Sequence, residues 1–277
     1  MHQRAPLLLH FRAVSPQKLG QHFLTDASWR ERIARAIRVE GGVWLEIGAG
    51  HGEMTALLAQ RARKVIAVEL DPKLAARLRE LVSRLSNVVV VEGDVLALDL
   101  PQLAQDGKFF VYGNLPYYIT SPILHRLFES ADRLAAIHVV VQLEVAERMV
   151  AQPGRRVYGY LSTLCQWYSR PELRLTIPPE AFRPRPKVAS ALVSLPLPGA
   201  RASVHVAQEN KFLRFVQECF AHKRKTLRNN LRARLGPRTA EILQQAGLQI
   251  EVRAERLSIP QLAKLFGLLE KMESAPR

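Results

Sequence analysis

Four short apolar runs, each closed by a glycine or polar residue and followed by a helical pattern, constrain this chain more than any other feature. Residues 43–47 (Val-Trp-Leu-Glu-Ile) run into Gly48-Ala49-Gly50-His51-Gly52, and 64–68 (Lys-Val-Ile-Ala-Val) end at Glu69. Residues 88–91 (four valines) precede Glu92-Gly93-Asp94, and 109–112 (Phe-Phe-Val-Tyr) precede Gly113-Asn114-Leu115-Pro116-Tyr117-Tyr118. Near-continuous apolar runs are what strands covered on both faces require. Alternation with helices then implies right-handed crossovers and a parallel, doubly wound sheet. Ligands of such sheets bind beyond the carboxyl ends of the strands. Gly48, Glu69, Asp94 and Asn114 are therefore expected around one shared crevice.

Each of these residues has a structural reading when taken alone, as turn, cap or solvated acid, and only their recurrence at successive strand ends joins them. The glycine pattern is Gly-x-Gly-x-Gly, not the Gly-x-Gly-x-x-Gly whose helix terminus cradles a pyrophosphate, so a cofactor without phosphates fits better. Glu69 lies 21 residues after Gly48, the offset at which an acid takes the ribose hydroxyls of an adenosine moiety. Asp94 is placed to accept from an adenine amino group. Asp71 reads differently: with Pro72 behind it, it predicts a helix N-cap. At Asn114, the side-chain oxygen and the carbonyl of Leu115 both accept hydrogen bonds, Pro116 stiffens the turn and Tyr117 offers an aromatic face. That set suits a planar base with an exocyclic amine.

Upstream, 15–24 reads as a loop, and Asp26 predicts the cap of a helix carrying Ile33, Ala34 and Ile37. Downstream the pattern predicts helices over 121–130, 143–150 and 161–168 and strands over 137–141, 172–177 and 188–195. Between the last two strands, the proline-stiffened 178–187 holds Phe182 and the cations Arg183, Arg185 and Lys187. Phe182 is expected to face Tyr117 across a flipped-out base; the alternative, favoured by this segment taken alone, is a hairpin connector with Phe182 tucked into the core. A Pro-Leu-Pro-Gly linker at 196–199 leads to an amphipathic stretch, 208–220, and to the basic run 222–228.

Charge separates these parts. The chain of 277 residues has a formal net charge of +15. Residues 201–277 hold 15 Lys or Arg and 7 Asp or Glu, an excess of +8 in little more than a quarter of the length. Such an excess suits a polyanionic partner. We expect a mobile tail at 1–14, an α/β catalytic domain at 15–199 and a basic all-helical domain at 200–277. Cys165 and Cys219 lack disulfide-framework or metal-ligand spacing, 7–9 is too short for a signal-peptide core and no window reaches a membrane span. A metal-free, cytoplasmic protein is the resulting expectation.

With these residues in place, the chain resembles the KsgA/RsmA-type ribosomal RNA small-subunit adenine dimethyltransferases. The motifs are Leu19-Gly20-Gln21-His22-Phe23-Leu24, Glu46-Ile47-Gly48-Ala49-Gly50, Asn114-Leu115-Pro116-Tyr117, Phe182 through Val188, and Lys223-Arg224-Lys225-Thr226-Leu227. The resemblance implies a Rossmann-like S-adenosylmethionine-dependent methyltransferase domain with a small helical domain behind it. It implies dimethylation of two adjacent adenosines near the 3′ end of small-subunit RNA, on a partly assembled 30S particle, by a monomer. Carried onto this sequence, it gives the cofactor to His22, Leu24, Gly48, Ala49, Gly50, Glu69, Leu70, Asp94, Val95 and Asn114. The target base falls to Asn114, Leu115, Pro116, Tyr117 and Phe182, and RNA to Arg183, Arg185, Lys187, Lys223, Arg224, Lys225 and Arg228. His22 and Tyr118 stand where the family usually has Asn. An assembly-factor binding protein and a large-subunit RNA or DNA adenine methyltransferase are the alternatives.

Overall fold

Asp26 begins the regular structure as its position predicts. Its carboxylate accepts from the backbone N–H groups of Ser28 and Trp29 and so starts α1 (Ala27–Ala36), just after the short strand β1 (Phe23–Leu24). This computed structural model describes residues 22–105 and 107–274. The expected tail 1–14 and the motif residues Leu19, Gly20 and Gln21 lie outside the described residues. Strand and helix then alternate through β2 (Val43–Ile47), α2 (Glu53–Ala59), β3 (Lys64–Glu69), α3 (Pro72–Leu81), β4 (Val88–Glu92), α4 (Leu100–Ala104), β5 (Phe109–Asn114), α5 (Thr120–Phe128), β6 (Leu134–Gln142), α6 (Leu143–Val150) and α7 (Tyr160–Tyr168). Asp71 caps α3 through the N–H groups of Lys73 and Leu74. The five residues of α4 are too few for a helical repeat to show in the sequence.

Five strands pair in parallel in the order β4-β3-β2-β5-β6. The sheet continues as β9 (Ser190–Pro196) and β7 (Glu172–Ile177), both antiparallel. The segment joining those two is proline-rich and carries no α-helix, so the chain turns back instead of crossing over. Inside that segment β8 (Phe182–Arg183) pairs with β1, setting Leu24 opposite Phe182 and Phe23 opposite Arg183.

Behind the sheet, α7 carries the apolar core into α8 (Glu209–Cys219), α9 (Leu227–Leu235), α10 (Thr239–Gln245) and α11 (Ile259–Ser274). Phe212 of α8 lies 4.9 Å from Trp167 and 5.6 Å from Phe266, ring centre to ring centre. Each such ring contributes roughly 1.5–3 kcal/mol by burial. The expected linker at 196–199 is a packed corner: Gly199 N–H donates to the Tyr168 carbonyl at 2.8 Å, and a Cβ at Gly199 would sit 2.3 Å from the Ser169 nitrogen. Arg201 pairs with Asp132 and Glu209, at 3.2 and 3.6 Å. Among the described residues, no helix is long and apolar enough to cross a membrane.

Glu46, inside β2, is buried and accepts from the Thr55 hydroxyl at 2.6 Å, tying the strand to α2 across the glycine turn. Burial raises its pKa to about 8, the Thr55 bond lowering it and Glu69 and Glu53 raising it further. The folded protein therefore holds a proton here that the unfolded chain, near 4.5, releases. Stability from this group is lost as pH rises from 4.5 through about 8, because the native state binds the extra proton. His138, whose pKa burial lowers to about 4, acts in the opposite sense at acid pH. Glu46→Gln should flatten the first dependence and leave the second. Urea titrations of both proteins between pH 5 and pH 9 check this; parallel curves would show that Glu46 is ionised in the fold.

Candidate active site

The carboxyl ends of β2, β3, β4 and β5 open onto one cleft. Gly48, Glu69, Asp94 and Asn114 all line it. Three glycines shape the turn after β2 for three different reasons. Gly48 has φ +70°, and a Cβ there would project into open space, so its absence leaves room for a ligand. Gly50, at φ +57°, makes way for the Phe23 ring, which would lie 3.1 Å from a Cβ. Gly52, at φ +85°, lets α2 meet α3, where a Cβ would come within 2.5 Å of Leu78.

Glu69 is only 3% exposed. Its Oε2 accepts from the Gly50 N–H at 2.8 Å and its Oε1 from the Asp71 N–H at 2.9 Å. Each oxygen keeps a further lone pair, so the group can still accept from a diol. Asp94 uses Oδ1 for the Leu96 N–H at 2.9 Å and is otherwise exposed. Ile47, Val68, Val95 and Ile123 supply apolar walls between these acceptors. An adenosine moiety fits this donor-poor, acceptor-rimmed slot.

The Asn114 side chain donates through Nδ2 to the His22 carbonyl at 2.8 Å. That bond decides which end of the amide is free: Oδ1 remains as an acceptor. The turn beyond it is held at several points. Leu115 N–H donates to the Val140 carbonyl at 3.0 Å, and Ile119 N–H and the Thr120 hydroxyl both reach the Pro116 carbonyl at 3.2 Å. The Tyr117 hydroxyl meets Ser190 Oγ at 3.1 Å, while Tyr118 stands 55% exposed at the rim.

The expected aromatic clamp is not formed by the expected pair. Phe182 has no exposed surface; its backbone is claimed by Leu24 across β1 and β8, and its ring packs in an apolar cluster with Ile177 and Leu192. The ring beside Tyr117 belongs to His22, with centres 5.5 Å apart and planes inclined by 29°. Leu24 is buried in the same cluster as Phe182, and Ala49 packs against Leu78 and Val82, so neither lines the cleft. Gly50 contributes through its bond to Glu69. Leu70, 52% exposed, and buried Val95 both line the cleft, as do Leu115, Pro116 and Tyr117. Among the loop cations, Arg185 pairs with Glu180 on its own loop, Arg183 donates to the carbonyls of Glu180 and Phe182, and Lys187 is exposed.

Lys223, Arg224 and Lys225 are exposed and precede α9, whose cap is Thr226; Arg228 lies in its first turn. Asn230 buckles this turn, donating to the carbonyls of Cys219 and His222 at 2.8 and 3.2 Å. Two backbone bonds add cations that the sequence does not group with them. Leu227 N–H donates to the Val252 carbonyl and Gly154 N–H to the Glu255 carbonyl, both at 2.7 Å. The turn carrying Arg155 and Arg156 is thereby tied to the segment carrying Arg253 and Arg256, all four exposed. Only Gly154-Arg155-Arg156 is visible locally as a basic turn; the pairing itself is long-range.

The family model described as Ribosomal RNA adenine dimethylase matches residues 15–271. A relative from Acidobacterium capsulatum named Ribosomal RNA small subunit methyltransferase A is 45% identical over 257 residues, 91% of this chain and 90% of its own. A solved dimethyladenosine transferase from Plasmodium falciparum shares the fold, with a TM-score of 0.79 at 24% identity over 91% of this chain and 98% of that one. The solved 23S rRNA methyltransferase ErmE gives a TM-score of 0.69 at 28% identity over 90% and 99%.

The two outer glycines of the turn separate by experiment. Gly48→Ala should weaken S-adenosylmethionine binding by about ten-fold or more while costing about 1 kcal/mol in strain at positive φ. Gly52→Ala should act on stability first, because its Cβ meets packed leucines. Calorimetric titration beside thermal melts distinguishes them; an unchanged cofactor affinity in Gly48→Ala would remove Gly48 from the cofactor site.

Proposed function

This chain belongs to the family of ribosomal RNA adenine dimethylases, and from that premise we propose how its residues divide the work. The protein is an S-adenosylmethionine-dependent enzyme that dimethylates the exocyclic amine of adenine in small-subunit ribosomal RNA. Gly48, Glu69, Leu70, Asp94 and Val95 hold the cofactor. When bound, S-adenosylmethionine supplies a methyl group on a sulfonium centre, already a strong electrophile.

What remains for the chain is the nucleophile, since an aromatic amine is weak because its lone pair is drawn into the ring. Asn114 Oδ1 and the Leu115 carbonyl accept the two amine N–H bonds and favour a pyramidal nitrogen with its lone pair free. Tyr117 stacks the base. No general base is needed, because a protonated aromatic amine loses its proton readily to water. The observation carrying this reading is the bond from Asn114 Nδ2 to the His22 carbonyl, which fixes the nitrogen end of the amide there and leaves Oδ1 free to accept from the amine.

We further propose that the targets are two adjacent adenosines near the 3′ end of the RNA, that the substrate is a partly assembled small subunit in the cytoplasm, and that the enzyme acts as a monomer. Lys187, Lys223, Arg224, Lys225 and Arg228 contact RNA, joined by Arg155, Arg156, Arg253 and Arg256. The cationic helices continue the catalytic core and present this charge at a fixed distance from the cleft. Large-subunit RNA is the second reading, favoured by the likeness to ErmE; the higher identity of the Acidobacterium relative favours the first. A binding protein without catalysis has no use for an intact Asn-Leu-Pro-Tyr turn.

Labelled methyl donor offered with small subunits, free small-subunit RNA, large-subunit RNA and duplex DNA, followed by nucleoside analysis, tests the substrate; dimethyladenosine in the large-subunit sample alone would reverse the order of the two readings. Asn114→Ala should leave cofactor affinity within about three-fold and lower methyl transfer by about a hundred-fold or more. Affinity for RNA should fall by about 0.7–0.9 log units per phosphate contact for each ten-fold rise in salt, and a Lys223, Arg224 and Lys225 triple alanine should lower that slope by about 2. An unaltered slope would exclude the basic turn from the RNA contact.

A further inference from the structure

His22 lines the cleft and makes three contacts with the catalytic loops. Its Nδ1 lies 2.6 Å from the Pro184 carbonyl; a carbonyl only accepts, so Nδ1 carries the proton. Its ring lies against Tyr117. Its own carbonyl takes the Nδ2 proton of Asn114.

The neighbouring backbone shows why the side chain matters. Thr25 and Asp26 donate to the Ala181 carbonyl at 3.0 and 3.2 Å, and Leu24 and Phe23 pair with Phe182 and Arg183. The 181–184 loop thus holds the arm residue by residue up to Phe23. At position 22 the strand pairing ends, and the imidazole bond to Pro184 replaces it. Were that bond absent, the carbonyl of residue 22 would be free to drift. A shift of about 1 Å is enough to lose a hydrogen bond aimed at a side-chain amide. The Asn114 amide is then free to turn over, and its N–H₂ would face the N–H bonds of the target amine, donor against donor.

We propose that His22 is a positioning residue: its side chain latches the arm to the Pro184 carbonyl and to Tyr117, so that its main-chain carbonyl holds the Asn114 amide with the oxygen toward the target amine. The inference rests on the role of Asn114 given above. An Asn side chain at position 22 can donate to Pro184 but offers no ring to Tyr117. It should therefore keep the latch and lose only part of the effect.

Three variants, His22→Ala, His22→Asn and His22→Phe, separate the contacts. Calorimetry gives cofactor affinity, single-turnover transfer with saturating cofactor and small subunits gives the chemical step, and amide hydrogen exchange over 23–26 in the free protein reads the arm without RNA. His22→Ala should keep cofactor affinity within about three-fold, slow transfer about ten-fold or more and speed exchange of the arm. His22→Asn should restore the arm's protection and bring transfer to within about three-fold of the wild type, whereas His22→Phe should leave the arm exchanging fast. Cofactor affinity lost with transfer at saturation unchanged would make His22 a cofactor ligand and overturn the proposal. So would an alanine variant unchanged in all three readings, or a phenylalanine variant matching the asparagine one. Wild-type protein that fails to methylate small subunits would sink the substrate assignment, and the exchange measurement would still decide the latch.

Discussion

The carboxylate of Glu69 accepts one backbone N–H from the glycine turn after β2 and another from the loop after β3, and the shape of the cleft depends on those two bonds. Parallel strands fix their neighbours only as far as the ladder runs; beyond the last pair, the loops need other anchors. A buried charged acceptor between two main-chain donors is a strong one, each bond contributing roughly 1.5–3 kcal/mol. In the function proposed above the same group also accepts from a ribose. Its structural and proposed binding roles are inseparable in a simple deletion, since removing the carboxylate also leaves the Gly50 and Asp71 N–H groups without this partner.

This coupling explains what could be read from the sequence and what could not. Strands buried on both faces declare themselves by composition, and caps such as Asp26 and Asp71 by local chemistry, so the parallel half of the sheet and the four residues at its edge were legible. The antiparallel edge was less so, because nothing in 172–195 states the direction of pairing except the lack of a helix between the strands. Phe182 was misplaced for a related reason. An aromatic residue in a proline-rich loop reads locally as a core side chain, and only the expectation of a partner for Tyr117 draws it toward the cleft; the loop pairs with β1, and the Phe182 ring lies in the core. The partner that decides its environment lies about 160 residues away in the chain.

The helical segment shows a similar limit. Its charge is visible in composition, and its amphipathic first helix is visible in periodicity. Its seat is not, because Phe212 and Phe215 fill a core begun by α7, and Gly199 is needed where two backbones touch. A flexible tether would let the basic surface wander; a shared core ties it to the sheet. A backbone bond from Gly154 to Glu255 ties the turn of Arg155 and Arg156 to the helical segment. Their contribution is therefore a property of the fold and not of a basic run.

An asparagine amide has two ends of the same shape and opposite hydrogen-bonding sense, so a site that needs its oxygen must also supply a reason for its orientation. Here the reason is a main-chain carbonyl, which every residue type at position 22 carries. Orientation of Asn114 is thereby insulated from the identity of its partner, and side-chain change at position 22 is tolerated as long as the arm stays in place. Under the latch proposed above, the donor at position 22 and not the residue type is what the Pro184 carbonyl requires, and His22 Nδ1 supplies it. Catalysis by positioning thus asks little of acid–base chemistry and much of backbone placement, which is why the residues that matter most are held by carbonyls and N–H groups of distant loops.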